Sequence, residues 1–129
     1  MKSTLNCIIL FVRDVEMLKH FYIDNFNLEL AEEMKQEWVL LKAGLCELGL
    51  HKIRDEYLNE GAPERVENNT KIVFEIDEDI FVVHKKLEAN SIALKEIKTW
   101  ENYPYWVFDG EDPEGNVFQI RMSKEKVTL

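Results

Sequence analysis

The stretch "FVRDVEMLKHFYIDNFNLEL", residues 11–30, decides how this chain is read. An apolar run stops at Arg13 and Asp14, an amphipathic segment follows, and a second run opens at Leu28. Upstream, "LNCIILFV" (5–12) is short, apolar and rich in Ile, Leu and Val, which suits a strand. Asp14 then offers a carboxylate to the free amides that begin a helix. Val15, Leu18, Phe21, Tyr22 and Phe26 recur at helical spacing and give that helix one apolar face. Asn25 and Asn27 suit its exit. Strands are expected next over 28–34, 37–42 and 46–53, with the Gly-containing "KAGLC" as the hairpin between the last two.

From 54 to 69 the chain turns polar, and "NEGAPERVENNT" reads as a linker. The pattern then recurs. "KIVFEID" suits a strand, 78–90 a helix with Ile80, Val83 and Leu87 on one face, and 93–99, 105–108 and 117–122 three further strands. The last two are joined through "DGEDPEGN", whose Asp, Pro, Gly and Asn are turn formers. Strand–helix–strand–strand–strand therefore occurs twice, with Asp14 of the first copy set against Asp77 of the second. The expected organisation is a single α+β domain of two repeated modules, 1–56 and 70–129, joined by a linker over 57–69.

At 129 residues with 46% hydrophobic content, the chain is long enough for the core of one ordinary domain. A formal charge of −9 opposes binding to nucleic acid or anionic membranes and favours a neutral or cationic ligand. No apolar run approaches the roughly 20 residues that span a bilayer, and the amino terminus lacks the long apolar stretch of a signal peptide. The expected compartment is the cytoplasm, where Cys7 and Cys46 are read as free thiols. Nucleotide-binding glycine motifs, the serine nucleophile elbow and HExxH are all missing from the sequence.

"VRDVEMLKHFY" (12–22) and "DPEGNVFQI" (112–120), at opposite ends of a doubled module, resemble the vicinal oxygen chelate superfamily. This group includes glyoxalase I, extradiol dioxygenases, fosfomycin-resistance enzymes and bleomycin-resistance proteins. The resemblance implies two βαβββ modules whose curled mixed sheets surround a concave cavity, each with its helix on the convex face, usually in a homodimer. Strand alternation agrees: Ile8, Leu10 and Val12 would pack on the first helix while Cys7, Ile9 and Phe11 line the concave face. In the second module Ile72, Phe74 and Ile76 would face the helix, with Lys71, Val73 and Glu75 on the other side.

Catalytic members of the superfamily hold a divalent metal on the concave faces, and the resemblance carries their ligand positions onto Cys7, Lys71 (or Thr70) and Gln119. An ammonium has no lone pair to offer a cation, so this set predicts no metal cofactor. If a divalent metal does bind, Glu47 and His51, which alternate onto one face of "CELGLHKI", are with Gln119 the candidate ligands. His20 and His84 are read as solvated helix positions. Trp38, Trp100, Tyr103, Tyr105 and Trp106 are dense in segments that would rim or line the concavity, and such rings stack on planar ligands or hold cations. Cys7, Ile9, Trp38, Glu47, His51, Lys71, Trp100, Tyr105, Gln119 and Arg121 form the expected ligand-binding set.

The expected function is metal-independent binding of a small molecule, cationic or aromatic, by a homodimer, after the manner of bleomycin-resistance proteins. Two readings stand beside it: a metal-dependent lyase, isomerase, transferase or dioxygenase with an atypical ligand set, and an interaction module whose concave surface holds a protein segment.

Overall fold

Asp14 ends the first strand and starts the first helix in one residue. In the computed structural model, which describes residues 1–58 and 70–126, it is extended (φ −122°) and its Oδ1 accepts the Met17 amide at 3.0 Å. Strand β1 (Cys7–Val12) thus passes directly into helix α1 (Val15–Phe26). The helix closes at Asn27, whose φ of 55° places it in the left-handed region that Asn tolerates, with its amide on the Ile23 carbonyl. Strands β2 (Glu29–Met34), β3 (Trp38–Ala43) and β4 (Cys46–Lys52) complete a sheet of order β1-β4-β3-β2, with β1 parallel to β4 and the other pairs antiparallel. Gly44, at φ +68°, makes the tight turn between β3 and β4.

The apolar stripe of α1 covers one face of this sheet. Val15, Leu18, Phe21 and Tyr22 are buried against Val12, Val39, Leu41, Leu48 and Leu50. Each such side chain contributes roughly 1.5–3 kcal/mol, and Phe26 joins through ring contacts with Phe21 and Tyr22. The opposite face carries Ile9 and Phe11, both exposed. The alternation expected of β1 is therefore the one observed. A short helix, α2 (Asp55–Leu58), follows, and the expected linker lies from residue 59 onward outside the described residues.

The chain divides into two compact units, Met1–Glu64 and Arg65–Leu129. The second contains β5 (Ile72–Glu75), helix α3 (Ile80–Ala89), β6 (Tyr105–Glu111) and β7 (Val117–Ser123), in the sheet order β5-β7-β6. Its core repeats the plan of the first: Ile80 and Leu87 of α3 are buried with Ile72, Phe108, Phe118, Ile120 and Met122. No helix among the described residues is long and apolar enough to cross a membrane.

Three expectations are corrected. The segment 93–99 is not a regular strand. It touches β6 through isolated bridges at Leu94 and Lys98, because the three residues between them oppose two on β6 and the extra residue breaks the ladder. The helix expected over 78–90 begins at Ile80, capped by Asp79, whose Oδ1 accepts the Phe81 amide at 2.8 Å. Trp106 lies on the helix side of its sheet, edge-on to Phe81, since strand alternation sets it opposite Tyr105.

The "DPEGN" turn between β6 and β7 is built on Asp112, the one buried charged side chain among the described residues. Its Oδ1 accepts the amides of Glu114 and Asn116, both at 2.9 Å, and its Oδ2 accepts Asn116 Nδ2 at 2.8 Å. Gly115 supplies a φ of 83°. By closing this hairpin Asp112 sets the register that brings Asp109 opposite Gln119.

Candidate functional site

Each sheet has one face on its helix and one open face, and the chemistry-bearing residues fall on the open faces. In the second unit, register places Val73, Gln119 and Asp109 in one row, with Lys71 beside them. Lys71 Nζ donates to Asp109 Oδ2 at 2.8 Å, and Gln119 Nε2 donates to Asp109 Oδ1 at 3.0 Å. Burial pushes the Asp109 carboxyl up. The hydrogen bonds from Lys71 and Gln119, with the charges of Lys71 and Lys95, outweigh it and hold the group below the usual carboxylate range.

A cavity of ≈ 210 Å³ opens beside this trio, lined by Lys71, Asp109 and Gln119 from the sheet and by Lys95, Lys98 and Trp100 from the flanking segment. That segment is held to β6 by backbone bonds from Lys95 to Asp109 and between Lys98 and Val107. His84 fixes it from the helix side. Its Nε2 lies 3.0 Å from the Lys95 carbonyl, which can only accept, so Nε2 donates, and the ring packs edge-on to Phe108. His84, read as a solvated helix position, is half-buried and makes this contact as well. His20 is exposed on α1 as expected. Arg121, in the next row, donates to Glu75 at 2.9 Å and lies 4.2 Å over the Tyr105 ring.

In the first unit, register aligns Phe11, His51, Trp38 and Met34 across four strands. The His51 ring meets Phe11 at 5.3 Å and Trp38 at 6.0 Å. Next to them, the Trp38 indole lies over Gly49: a Cβ there would stand 2.6 Å from Trp38 and 3.0 Å from Ile9. The indole Nε1 donates to Glu32 at 3.2 Å. The row of Cys7 and Glu47 lies further along. Burial, then the charge of Glu47, raises the Cys7 thiol above its ordinary value, so it stays protonated at neutral pH. Both cysteines are free thiols.

The donors present do not fit a divalent metal. Lys71, at one expected ligand position, brings an ammonium with no lone pair for a cation and already donates to Asp109. Glu47 and His51, four residues apart on β4, are separated by about 13 Å of strand with the Trp38 indole over the glycine between them. Among the described residues no three His, Cys, Asp or Glu side chains stand close enough to hold a metal ion.

The sequence reading named Lys71 and Gln119 but missed Asp109, which binds both. The signal was present: a hairpin closed at 112–116 sets 109 across from 119. Lys95 and Lys98 were also missed, since they line the cavity only because the flanking segment departs from strand geometry.

No protein-family model and no curated protein matches the chain. Solved structures do. A lactoylglutathione lyase from Agrobacterium tumefaciens matches with TM-score 0.74 and 20% identity over 100% of both chains. The fosfomycin resistance protein FosX from Listeria monocytogenes, in complex with Mn(II) and sulfate, matches with TM-score 0.77 and 18% identity, covering 98% of this chain and 95% of the other. An integron cassette protein from the V. cholerae mobile metagenome matches with TM-score 0.69 and 19% identity over 95% and 96%. With an α-helix packed on one face of a mixed sheet in each of two units, the chain has the α+β fold of these solved structures.

Proposed function

We propose that this protein binds a small molecule on its open sheet faces without a metal ion, acting as a homodimer that sequesters its ligand. The observation that carries the reading is the Lys71–Asp109–Gln119 trio. Where the resemblance would put metal ligands, a lysine and a glutamine instead satisfy an aspartate. An ammonium and a carboxylate in contact offer a ligand a polar, hydrogen-bonding floor, and the exposed Trp100 at its edge offers a ring face.

The test is elemental analysis of protein purified without chelator, followed by thermal denaturation with and without Mn(II) or Zn(II). Substoichiometric metal and an unchanged melting temperature are expected. A stoichiometric metal would sink the reading.

One observation favours a metal-dependent enzyme instead. His51 Nδ1 lies 2.8 Å from the Lys52 carbonyl and so carries the proton, leaving the Nε2 lone pair for a cation. In that case His51→Ala would abolish metal uptake.

A further inference from the structure

The whole chain is strongly acidic, yet the cavity of the second unit is lined by three lysines, Lys71, Lys95 and Lys98, against two carboxylates, Asp109 and Glu96. Both oxygens of Asp109 already accept hydrogen bonds, one from Lys71 and one from Gln119. The carboxylate nearest the cavity floor is thus compensated from within. Neither Lys95 nor Lys98 forms an ion pair among the described residues.

Residues three apart on a regular strand point to opposite faces. Lys95 bonds through its backbone opposite Asp109, and Lys98 opposite Val107, so an extra residue lies between the two contacts. This irregularity brings both lysines to the lining of one cavity, the re-aiming of side chains that bulges bring about beside binding sites. Trp100, 56% exposed and held edge-on by Tyr103 at 5.3 Å, adds an aromatic surface to the same wall. At ≈ 210 Å³ the space is smaller than the about 300–1,000 Å³ of drug-sized pockets.

We propose that this cavity takes a compact organic oxyanion joined to a planar ring, the oxyanion between Lys95 and Lys98 and the ring on Trp100. The assignment rests on the metal-independent reading and names its ligand class. It also reverses the preference for a cation that net charge alone suggests, because a ligand in contact senses neighbouring charges far more than distant, screened ones.

Calorimetric titration of the chelator-treated full chain tests it, with phenylphosphonate, methylphosphonate and phenyltrimethylammonium as probes. Phenylphosphonate binds with a Kd of about 0.1–1 mM, and more weakly as salt rises. Methylphosphonate binds about five- to tenfold more weakly for want of the ring. Lys95→Gln with Lys98→Gln weakens phenylphosphonate about tenfold or more, whereas Lys85→Gln with Lys86→Gln, the same charge change on α3, alters it less than about twofold. Trp100→Ala erases the difference between the two phosphonates.

A double lysine variant that binds phenylphosphonate as well as the parent overturns the assignment. So does the lack of any phenylphosphonate binding up to about 10 mM. If the metal-free protein prefers phenyltrimethylammonium, the anion class fails while metal-independent binding stands. If phenylphosphonate binds only after Mn(II) is added, both fail.

Discussion

Lys71 Nζ lies 2.8 Å from Asp109 Oδ2, joining residues 38 positions apart in sequence across the open face of one sheet. Because Asp109 is held below its ordinary value in the folded state, its contribution to stability is fully present above the usual carboxylate range and is lost as pH falls through that range and below. Asp109→Asn is expected to cost about 0.5–1 kcal/mol near neutral pH, the size of a partly exposed ion pair. Urea denaturation of both proteins from about pH 7 down to about pH 2 should show the difference vanish at the acid end. A difference that persists there would assign the loss to packing.

Two glycines lie under aromatic rings, and the rings differ in freedom. At Gly110 a Cβ would stand 2.4 Å from the fully buried Phe118 and 2.8 Å from Leu94, whereas at Gly49 it meets the half-buried Trp38, whose indole can swing outward. Gly110→Ala should cost about 2–3 kcal/mol and Gly49→Ala about 1 kcal/mol or less. Chemical denaturation orders the two, and Gly49→Ala should also red-shift tryptophan emission.

The helix caps give a sharp comparison. Asp79 accepts the Phe81 amide, so Asp79→Ala should lower stability by about 1 kcal/mol. Asp77→Ala should fall within about 0.5 kcal/mol of the parent. Equal losses at both positions would refute the cap assignment.

Cys7 is raised by burial and then by the negative charge of Glu47. Glu47→Gln should therefore lower the thiol value and speed alkylation of Cys7 by iodoacetamide at about pH 8, since only the thiolate reacts. Peptide mapping resolves the rate at Cys7 from that at Cys46. A slower rate in the variant would contradict the electrostatic account.

The sequence by itself determined the doubled strand–helix pattern, the α1 cap at Asp14, the helix-facing residues of β1 and the turn at Asp112. These are local properties: periodicity of 2 or 3.6, a carboxylate beside free amides, turn-forming residues in a row. Only tertiary structure decided that Lys71 reaches Asp109, that the Trp38 indole covers Gly49, and that Lys95 and Lys98 line one cavity. The first depends on β5 docking beside strands distant in sequence, the second on the packing of a ring across a hairpin, and the third on an extra residue in one segment. A shift of one position reverses the face on which every side chain lies, and between strands that no hairpin joins, such as β5 and β7, no local pattern encodes the register.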